Sequence, residues 1–312
     1  MNTMTKRWDD DIALPEPRKN RRTTFMHRVE ATLARGLLAI SGAQRVEKAA
    51  HRMGLVLKTI GPMFGPIHNR GHVNLSLIYP DMTAAERAAI LRGAWYNLGA
   101  TFAEFAHLDK LADRTEVVNA KIIQDVIDRH GNAVFFSGHF ANWEALPAKL
   151  YQMGLKNAVV YRPANNPIVD ADIIKRRASA MTRYQLPKNK RSARSMLTVL
   201  KDGYSLCMLT DQKLNDGISV PLLGHPAMTA PAAARLALMQ NVPMIPLQIE
   251  RLPGSRFRVT AHPAIEIKTS GNTKDDTERL SAAMNEAIGH FILHRPDQWL
   301  IFHRRWPRRI TG

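Results

Sequence analysis

Short apolar runs alternate with amphipathic segments over the second half of the chain. The runs NAVFFSG, NAVVYRP, SLCMLTDQ and VPMIPLQIERL lack the apolar–polar alternation of a strand with one solvated face. Between them, WEALPAKLYQMG, VDADIIKRRASAM and ARSMLTVLKDG repeat apolar residues at helical spacing. The pattern predicts an α/β fold in which helices flank a mostly parallel or mixed central sheet, and TERLSAAMNEAIGHFILHRP predicts a long closing helix.

The first part of the chain has the pattern of a polar tail followed by helices. Residues 1–24 are polar, contain RKNRR at 18–22, and predict a disordered basic tail. Residues 25–117 predict an N-terminal helical segment, in which Thr83 and Glu86 form a capping box that starts a helix near Ala84. Residues 118–312 predict the α/β core, and 25–312 together form one domain.

The first two predicted helices each carry an apolar stripe with basic flanks. A stripe of this kind favours packing against the core. Because the flanks are basic, docking at a membrane interface is the alternative. The apolar positions are Phe25, Val29, Leu33, Leu37 and Leu38, followed by Met53, Leu57 and Ile60.

Composition and net charge limit the classes of function that the chain can have. With 45% hydrophobic and 23% charged residues, the 312-residue chain is globular. The one cysteine, Cys207, excludes an intrachain disulfide and a cysteine-rich zinc site, and its apolar surroundings predict a core position. A formal net charge of +17 predicts a polyanionic partner: nucleic acid, an anionic membrane, or an acidic protein or phosphorylated substrate.

Targeting signals are missing from the sequence. No run approaches the roughly 18 apolar residues that span a bilayer. The best candidate, residues 31–43, is short and contains Arg35. No secretory signal is visible, so we expect a protein that faces the cytoplasm and can lie on a membrane.

Polar side chains follow three of the predicted strands. His139 follows AVFFSG, Arg162 follows AVVY, and Asp211 follows SLCMLT. Ligands bind at the carboxyl ends of strands in such sheets, so these side chains are expected to converge on one edge.

His139 and Glu144 lie five residues apart in SGHFANWE. On a single helix this spacing rotates the pair by about 140°, so the two would not share a face. Across a strand-to-helix turn, Glu144 could accept a hydrogen bond from one imidazole nitrogen and leave the other as a base. The alternative, which spacing alone slightly favours, is that His139 caps the helix and Glu144 complements the helix dipole.

Other catalytic signatures are missing. The sequence has no GxGxxG, P-loop or HExxH motif, and no GxSxG nucleophile turn. No zinc-finger, basic-zipper or RNA-recognition signature accompanies the positive charge, and no metal-ligand spacing is visible. We therefore expect no metal and no nucleic-acid partner.

Several motifs in order resemble one enzyme family. RGHVNLSLIYPDMTAAER, HFANWE, VVYRPANNPIVD, TDQK, VPLLGHPAMTAPAAARLA and PDQWLIFHRRW occur between about residues 69 and 306. HFANWE resembles the HxxxxD/E motif of glycerolipid-type acyltransferases. The whole set resembles the bacterial lipid A biosynthesis acyltransferases, the late lauroyl and myristoyl transferases.

The resemblance implies acyl transfer from an acyl-carrier-protein thioester to a hydroxyl of a phosphorylated lipid A precursor, without a cofactor. It implies that His139 is the general base and that Glu144 orients it. Arg177 would bind a phosphate or assist the thioester oxyanion, and Asp211 would help to shape the site. Arg162 comes from the strand-end argument as a substrate-binding residue. A surface salt bridge is the alternative for Arg162, and a solvated helix face is the alternative for Arg177.

The resemblance also implies partners and a location. The partners are acyl carrier protein, a phosphorylated glycolipid and an anionic membrane surface, at the cytoplasmic face of the inner membrane. Many relatives carry an N-terminal membrane helix. Here the equivalent segment is interrupted by Arg35, so peripheral or monotopic attachment is expected.

Two alternatives remain. QKLNDG after Asp211 differs from the more acidic run of some relatives and leaves the acceptor open, so a lyso-ornithine lipid, lysophospholipid or glycolipid is the alternative substrate. Charge alone would also fit a non-enzymatic binder of nucleic acid or membrane surface, which ranks below both acyl-transfer hypotheses.

Overall fold

A computed structural model describes residues 7–15, 23–188, 192–307 and 310. The N-terminal part is helical, as predicted, with α1 (Phe25–Gly42), α2 (Val46–Ile60), α3 (Gly65–Ile78), α4 (Ala84–Glu104) and the short α5 (Leu108–Leu111). The α/β part then runs through β1 (Thr115–Val118), α6 (Ala120–Asp128), β2 (Val134–Ser137), α7 (Ala145–Gln152), β3 (Asn157–Tyr161), α8 (Pro167–Ala180), β4 (Gln185–Pro187), α9 (Ser192–Lys201), β5 (Ser205–Leu209), β6 (Ile218–Leu222), β7 (His225–Thr229), α10 (Ala232–Gln240), β8 (Met244–Leu252), β9 (Arg256–Ala261) and α11 (Thr273–His294).

A seven-stranded mixed sheet forms the centre of the α/β part. Its order is β1-β9-β8-β2-β5-β3-β4, and its pairs are parallel except for β8 with β9. All four residues of β2 are buried. The apolar runs without alternation are therefore strands covered on both faces, and the predicted fold class is confirmed.

The capping box predicted at the start of α4 is present. The Thr83 hydroxyl accepts from the Glu86 amide, and the Glu86 carboxylate accepts from the Thr83 amide. Further along α4, a Cβ on Gly99 would lie 2.4 Å from the carbonyl oxygen of Met53 in α2. Only glycine fits at that position, and it lets the two helices pack closely.

The outer face of α1 differs from the core-facing expectation. Met26, Leu33, Leu37 and Ile40 lie within about 60° of each other around the helix axis. Their side chains are 60%, 64%, 53% and 63% exposed. The buried Ala31 lies on the opposite side of the helix. The prediction that this stripe packs on the core is therefore wrong for Leu33 and Leu37, and also for Phe25, which is 81% exposed.

A β-hairpin precedes α10 and was not predicted. Strands β6 and β7 pair antiparallel across Leu223 and Gly224, and both of these residues have positive φ angles. Two successive left-handed residues make the type of turn that matches hairpin twist, although Leu is a poor sequence signal for it. On α11, the Asn285 amide donates to the Pro221 carbonyl and the Thr229 hydroxyl, which fixes the hairpin on that helix.

Residues 7–15 dock on the α/β part, which corrects the disordered-tail expectation for this segment. The Trp8 ring lies 5.5 Å from the Tyr151 ring and 5.6 Å from the Tyr204 ring. Asp9 is fully buried and accepts from the Tyr151 hydroxyl at 2.9 Å and from the Arg183 amide at 2.5 Å. The Arg7 guanidinium donates to Asp9 and to backbone carbonyls at the end of α8. The rest of the predicted tail, residues 1–6 and 16–22, lies outside the described residues.

We predict that Asp9→Ala destabilises the protein by roughly 2 kcal/mol, because it leaves partly buried donors of Arg7, Tyr151 and Arg183 without their charged acceptor. The measurement is the free energy of unfolding in denaturant. Asp10→Ala is the matched control, since Asp10 is exposed. Equal stability of the two variants would show that the buried contacts of Asp9 add no stability.

Candidate functional site

The ends of β2 and β5 bring His139 and Asp211 together. The strands are parallel neighbours, with Ser137 paired to Leu209, so His139 and Asp211 each follow their strand by two residues. His139 Nδ1 lies 2.7 Å from Asp211 Oδ1. The predicted convergence at the carboxyl edge is therefore present for this pair.

Asp211 is held as a carboxylate. It is fully buried, and burial acts to raise its pKa. The interaction with His139 outweighs burial, helped by His303 and by a hydrogen bond from Trp299, so the pKa of Asp211 lies well below its ordinary value. A carboxylate at this position accepts a hydrogen bond from the Nδ1–H group of His139. Nε2 then carries no proton and is the basic nitrogen. Among the described residues, no hydrogen-bond partner of Nε2 is found.

The turn that carries His139 has tight steric limits. A Cβ on Gly138 would lie 2.5 Å from Phe140 and 3.0 Å from the Cβ of Asp211, so only glycine fits between the two strand ends. Ala141 has φ of +46°, a left-handed conformation that costs a residue with a side chain about 1–2 kcal/mol. Surrounding contacts must hold this backbone in place.

Backbone hydrogen bonds from a C-terminal segment hold the turn from one side. The Ala141 amide donates to the Gln298 carbonyl, and the Leu300 amide donates to the His139 carbonyl, both at 2.9 Å. Phe140 and Trp299 form an isolated antiparallel bridge.

A buried polar network holds the same turn from the other side. The Ala141 carbonyl accepts from the Thr101 hydroxyl at 2.8 Å and from the Asn97 amide at 3.1 Å, both on α4. The Asn142 side-chain amide donates to Glu104 at 2.9 Å, and Glu104 forms a buried ion pair with Arg251 of β8. The left-handed turn is therefore fixed by α4, β8 and the C-terminal segment together.

Glu144 does not orient His139, which corrects the predicted dyad. Its carboxylate accepts from Arg177 Nε at 2.8 Å and from the second guanidinium nitrogen at 2.5 Å, while Nδ1 of His139 bonds Asp211. Strand order explains this difference. Because β5 lies beside β2, the end of β5 places Asp211 next to the imidazole. Glu144 stands at the start of α7, where its charge complements the helix dipole, but His139 does not cap that helix.

The guanidinium of Arg177, on α8, forms an ion pair with the Glu144 carboxylate. Its side chain is 14% exposed, and its guanidinium lies 5.6 Å from the centre of the Tyr161 ring. Burial opposes its charge, but Glu144 outweighs burial and raises the pKa of the guanidinium. The bidentate pair ties α7 to α8 directly behind the His139 turn, and Arg177 is not on a solvated helix face.

Arg162 and Cys207 stand apart from the pair. Arg162 follows β3 at the same sheet edge and is exposed to solvent. Cys207 is buried in β5, where burial raises the pKa of its thiol to about 12, so it is not a nucleophile. In the parts of the chain with described coordinates, no cluster of three or more potential metal ligands occurs.

The sequence pattern that defines the bacterial lipid A biosynthesis acyltransferases matches residues 36–308. The chain belongs to this family. The match covers most of the chain, from the last part of α1 through the His139 turn, Asp211 and Trp299, and it establishes the enzyme class as acyltransferase.

Similar proteins carry names of the same kind. The lipid A biosynthesis lauroyltransferase of Escherichia coli K12 is 26% identical over 255 residues, which covers 77% of this chain and 79% of that protein. A lipid A biosynthesis acyltransferase of Haemophilus influenzae is 22% identical, with coverages of 85% and 82%. The lipid A biosynthesis myristoyltransferase of E. coli K12 is 24% identical, with coverages of 74% and 72%.

Sequence reasoning about this acyltransferase missed the residues that support the pair. Trp299, Gln298, Asn97, Thr101, Glu104 and Arg251 received no role. The one available signal was the motif PDQWLIFHRRW, in which a Trp occurs next to a Gln within an apolar run. Asn142 also received no role, yet it is fully buried and accepts from the Glu144 amide at 3.2 Å.

The orienting residue of the acyltransferase can be tested directly. We predict that Asp211→Asn lowers the kcat for acyl transfer at least about 100-fold, because it removes the negative charge and leaves one acceptor oxygen for two donors, His139 and Trp299. Glu144→Gln weakens a buried ion pair and is expected to lower stability by roughly 3 kcal/mol, with a far smaller loss of kcat in the folded fraction.

The measurements are single-turnover kinetics and denaturant unfolding of both variants. If Glu144→Gln loses more kcat than Asp211→Asn at unchanged stability, Glu144 and not Asp211 orients the base.

Proposed function

We propose that this acyltransferase moves a fatty acyl chain from an acyl-carrier-protein thioester to a hydroxyl of a phosphorylated lipid A precursor. The observation that carries the proposal is the 2.7 Å contact between His139 and Asp211 at the carboxyl edge of the sheet in a member of this family. The names of the relatives support lipid A as the acceptor.

The proposed mechanism uses His139 as the general base. Nε2 removes the proton of the acceptor hydroxyl while its oxygen attacks the thioester carbonyl carbon. The tetrahedral intermediate collapses, the carbon–sulfur bond breaks, and the proton on Nε2 passes to the leaving thiolate. Asp211 holds the imidazole and stabilises the imidazolium formed between these steps. The thioester supplies the activated acyl group, so the proposal requires no metal and no cofactor.

The remaining predicted site residues take different roles in this proposal. Arg162 is exposed at the carboxyl edge, so we assign to it a contact with an acceptor phosphate. Arg177 is committed to Glu144, and we assign to that pair the positioning of α7 behind the His139 turn. The net charge of +17 fits an acidic carrier protein and a phosphorylated acceptor.

We predict that the purified protein adds one acyl chain to a lipid A precursor when it is given acyl-acyl carrier protein, and that His139→Ala abolishes the reaction. Mass spectrometry of the lipid product, over several acyl chain lengths, is the measurement. His290→Ala is the matched control, because His290 is exposed on α11.

Lysophospholipid and lyso-ornithine lipid are offered in parallel reactions. If one of these lipids is acylated and the lipid A precursor is not, acyl transfer stands as the reaction but the lipid A precursor is wrong as the acceptor. Full activity of His139→Ala would reject the assigned base.

We further propose that the acyltransferase lies peripherally on the cytoplasmic face of the inner membrane, with α1 and α2 against the lipid. Among the described helices, none has the length and apolar character needed to cross a bilayer. Apolar side chains are also exposed after α2, where Met63 and Phe64 are 82% and 49% exposed. On α2, Lys48 and Arg52 lie within about 60° of the exposed Leu55 around the helix axis. Apolar insertion beside cations fits an anionic lipid surface.

We predict that Leu33→Glu with Leu37→Glu weakens binding to phosphatidylglycerol-containing vesicles at least about tenfold, because two apolar side chains no longer enter the lipid. The measurement is vesicle co-sedimentation, with pure phosphatidylcholine vesicles for comparison. The matched control is Met239→Glu with Leu293→Glu, which changes two apolar residues that are 54% and 45% exposed on other helices. Equal losses in both double variants would contradict the assigned face.

A further inference from the structure

One C-terminal segment contacts both partners of the His139–Asp211 pair. The Leu300 amide donates to the His139 carbonyl, and the indole N–H of Trp299 donates to Asp211 Oδ2, each at 2.9 Å. Adjacent residues therefore hold the backbone of the base and the side chain of its carboxylate.

The indole completes the coordination of the carboxylate. Oδ1 of Asp211 accepts from His139, and Oδ2 accepts from Trp299. With a donor on each oxygen, the plane of the carboxylate is fixed, and Oδ1 is aimed at Nδ1. Trp299 is 0% exposed, so water does not replace its N–H at this position. His303 faces the backbone carbonyl of Asp211 from the same segment, at 3.3 Å.

We propose that Trp299 is a positioning residue that sets the geometry of the His139–Asp211 pair. The inference rests on the proposed role of His139 as general base. It extends that function to a residue which never touches the substrate. Trp299 acts through its N–H and not through its bulk alone.

A second buried tryptophan separates these two contributions. Trp306 is 1% exposed, lies 6.4 Å from Trp299 between ring centres, and donates its N–H to the Leu222 carbonyl at 3.4 Å. It shares the packing environment of Trp299 but donates to a backbone group of the hairpin. Trp299→Phe and Trp306→Phe remove similar side-chain volumes. A difference in activity between the two variants therefore reports the loss of the hydrogen bond to Asp211.

We predict that Trp299→Phe lowers kcat about 10- to 100-fold, the size expected for loss of a hydrogen bond to a charged group, with KM unchanged. The freed Oδ2 leaves more negative charge facing the imidazole, so the acid limb of the kcat/KM profile is expected to move to higher pH. His303 and Arg305 also act on Asp211, and Trp306→Phe leaves both in place. Trp306→Phe is expected to keep kcat and the acid limb.

The proposal is wrong if Trp299→Phe keeps the wild-type kcat and acid limb. It is also wrong if both tryptophan variants lose activity equally while the acid limb stays in place.

A second measurement needs neither substrate nor a folded Trp299 variant. In protein labelled with 15N at the indoles, the Trp299 resonance is assigned by elimination from Phe variants of the other four tryptophans. Its chemical shift should depend on pH, and this dependence should vanish in His139→Ala. A Trp299 shift that is independent of pH would overturn the proposal. If the resonance responds but no acyl transfer is found, the positioning role stands and the proposed function fails.

Discussion

The hydrogen bond between His139 Nδ1 and Asp211 Oδ1 is the interaction around which the site is organised. It joins residues 72 positions apart, so it exists only because β2 and β5 are parallel neighbours in register. A shift of either strand by one residue would turn one side chain to the other face of the sheet. The geometry at the strand ends depends on three further features: the buried strand β2, Gly138 and the left-handed Ala141.

The support of this pair is distributed over distant parts of the chain. Helix α4 contributes Asn97, Thr101 and Glu104, and β8 contributes Arg251. A left-handed turn that depends on so many contacts cannot relax independently, and the imidazole is consequently pre-organised before substrate arrives. The N-terminal helical segment therefore helps to hold the His139 turn through α4.

The sequence predicted the elements of the α/β part well, because buried strands and amphipathic helices leave strong local patterns. It also predicted that His139 and Asp211 would meet at one edge. It did not identify Asp211 as the partner of His139, because that depends on strand order, which local patterns do not encode. Glu144 was chosen on nearness in sequence, whereas Arg177 takes it through the packing of α7 and α8. The exposed face of α1 was misassigned because an apolar stripe has the same periodicity whether it faces a core or a lipid.

The distribution of charge links the site to the surface. The buried carboxylates of Glu104 and Glu144 each pair with an arginine, so these pairs add nothing to the net charge. Burial of Asp211 against the imidazole removes a further negative charge from the outside of the molecule. The full sequence carries a formal net charge of +17. A net positive charge of this size attracts polyanions, and the hydrogen bonds of Asp211 to His139 and Trp299 fix the orientation of the imidazole at the sheet edge.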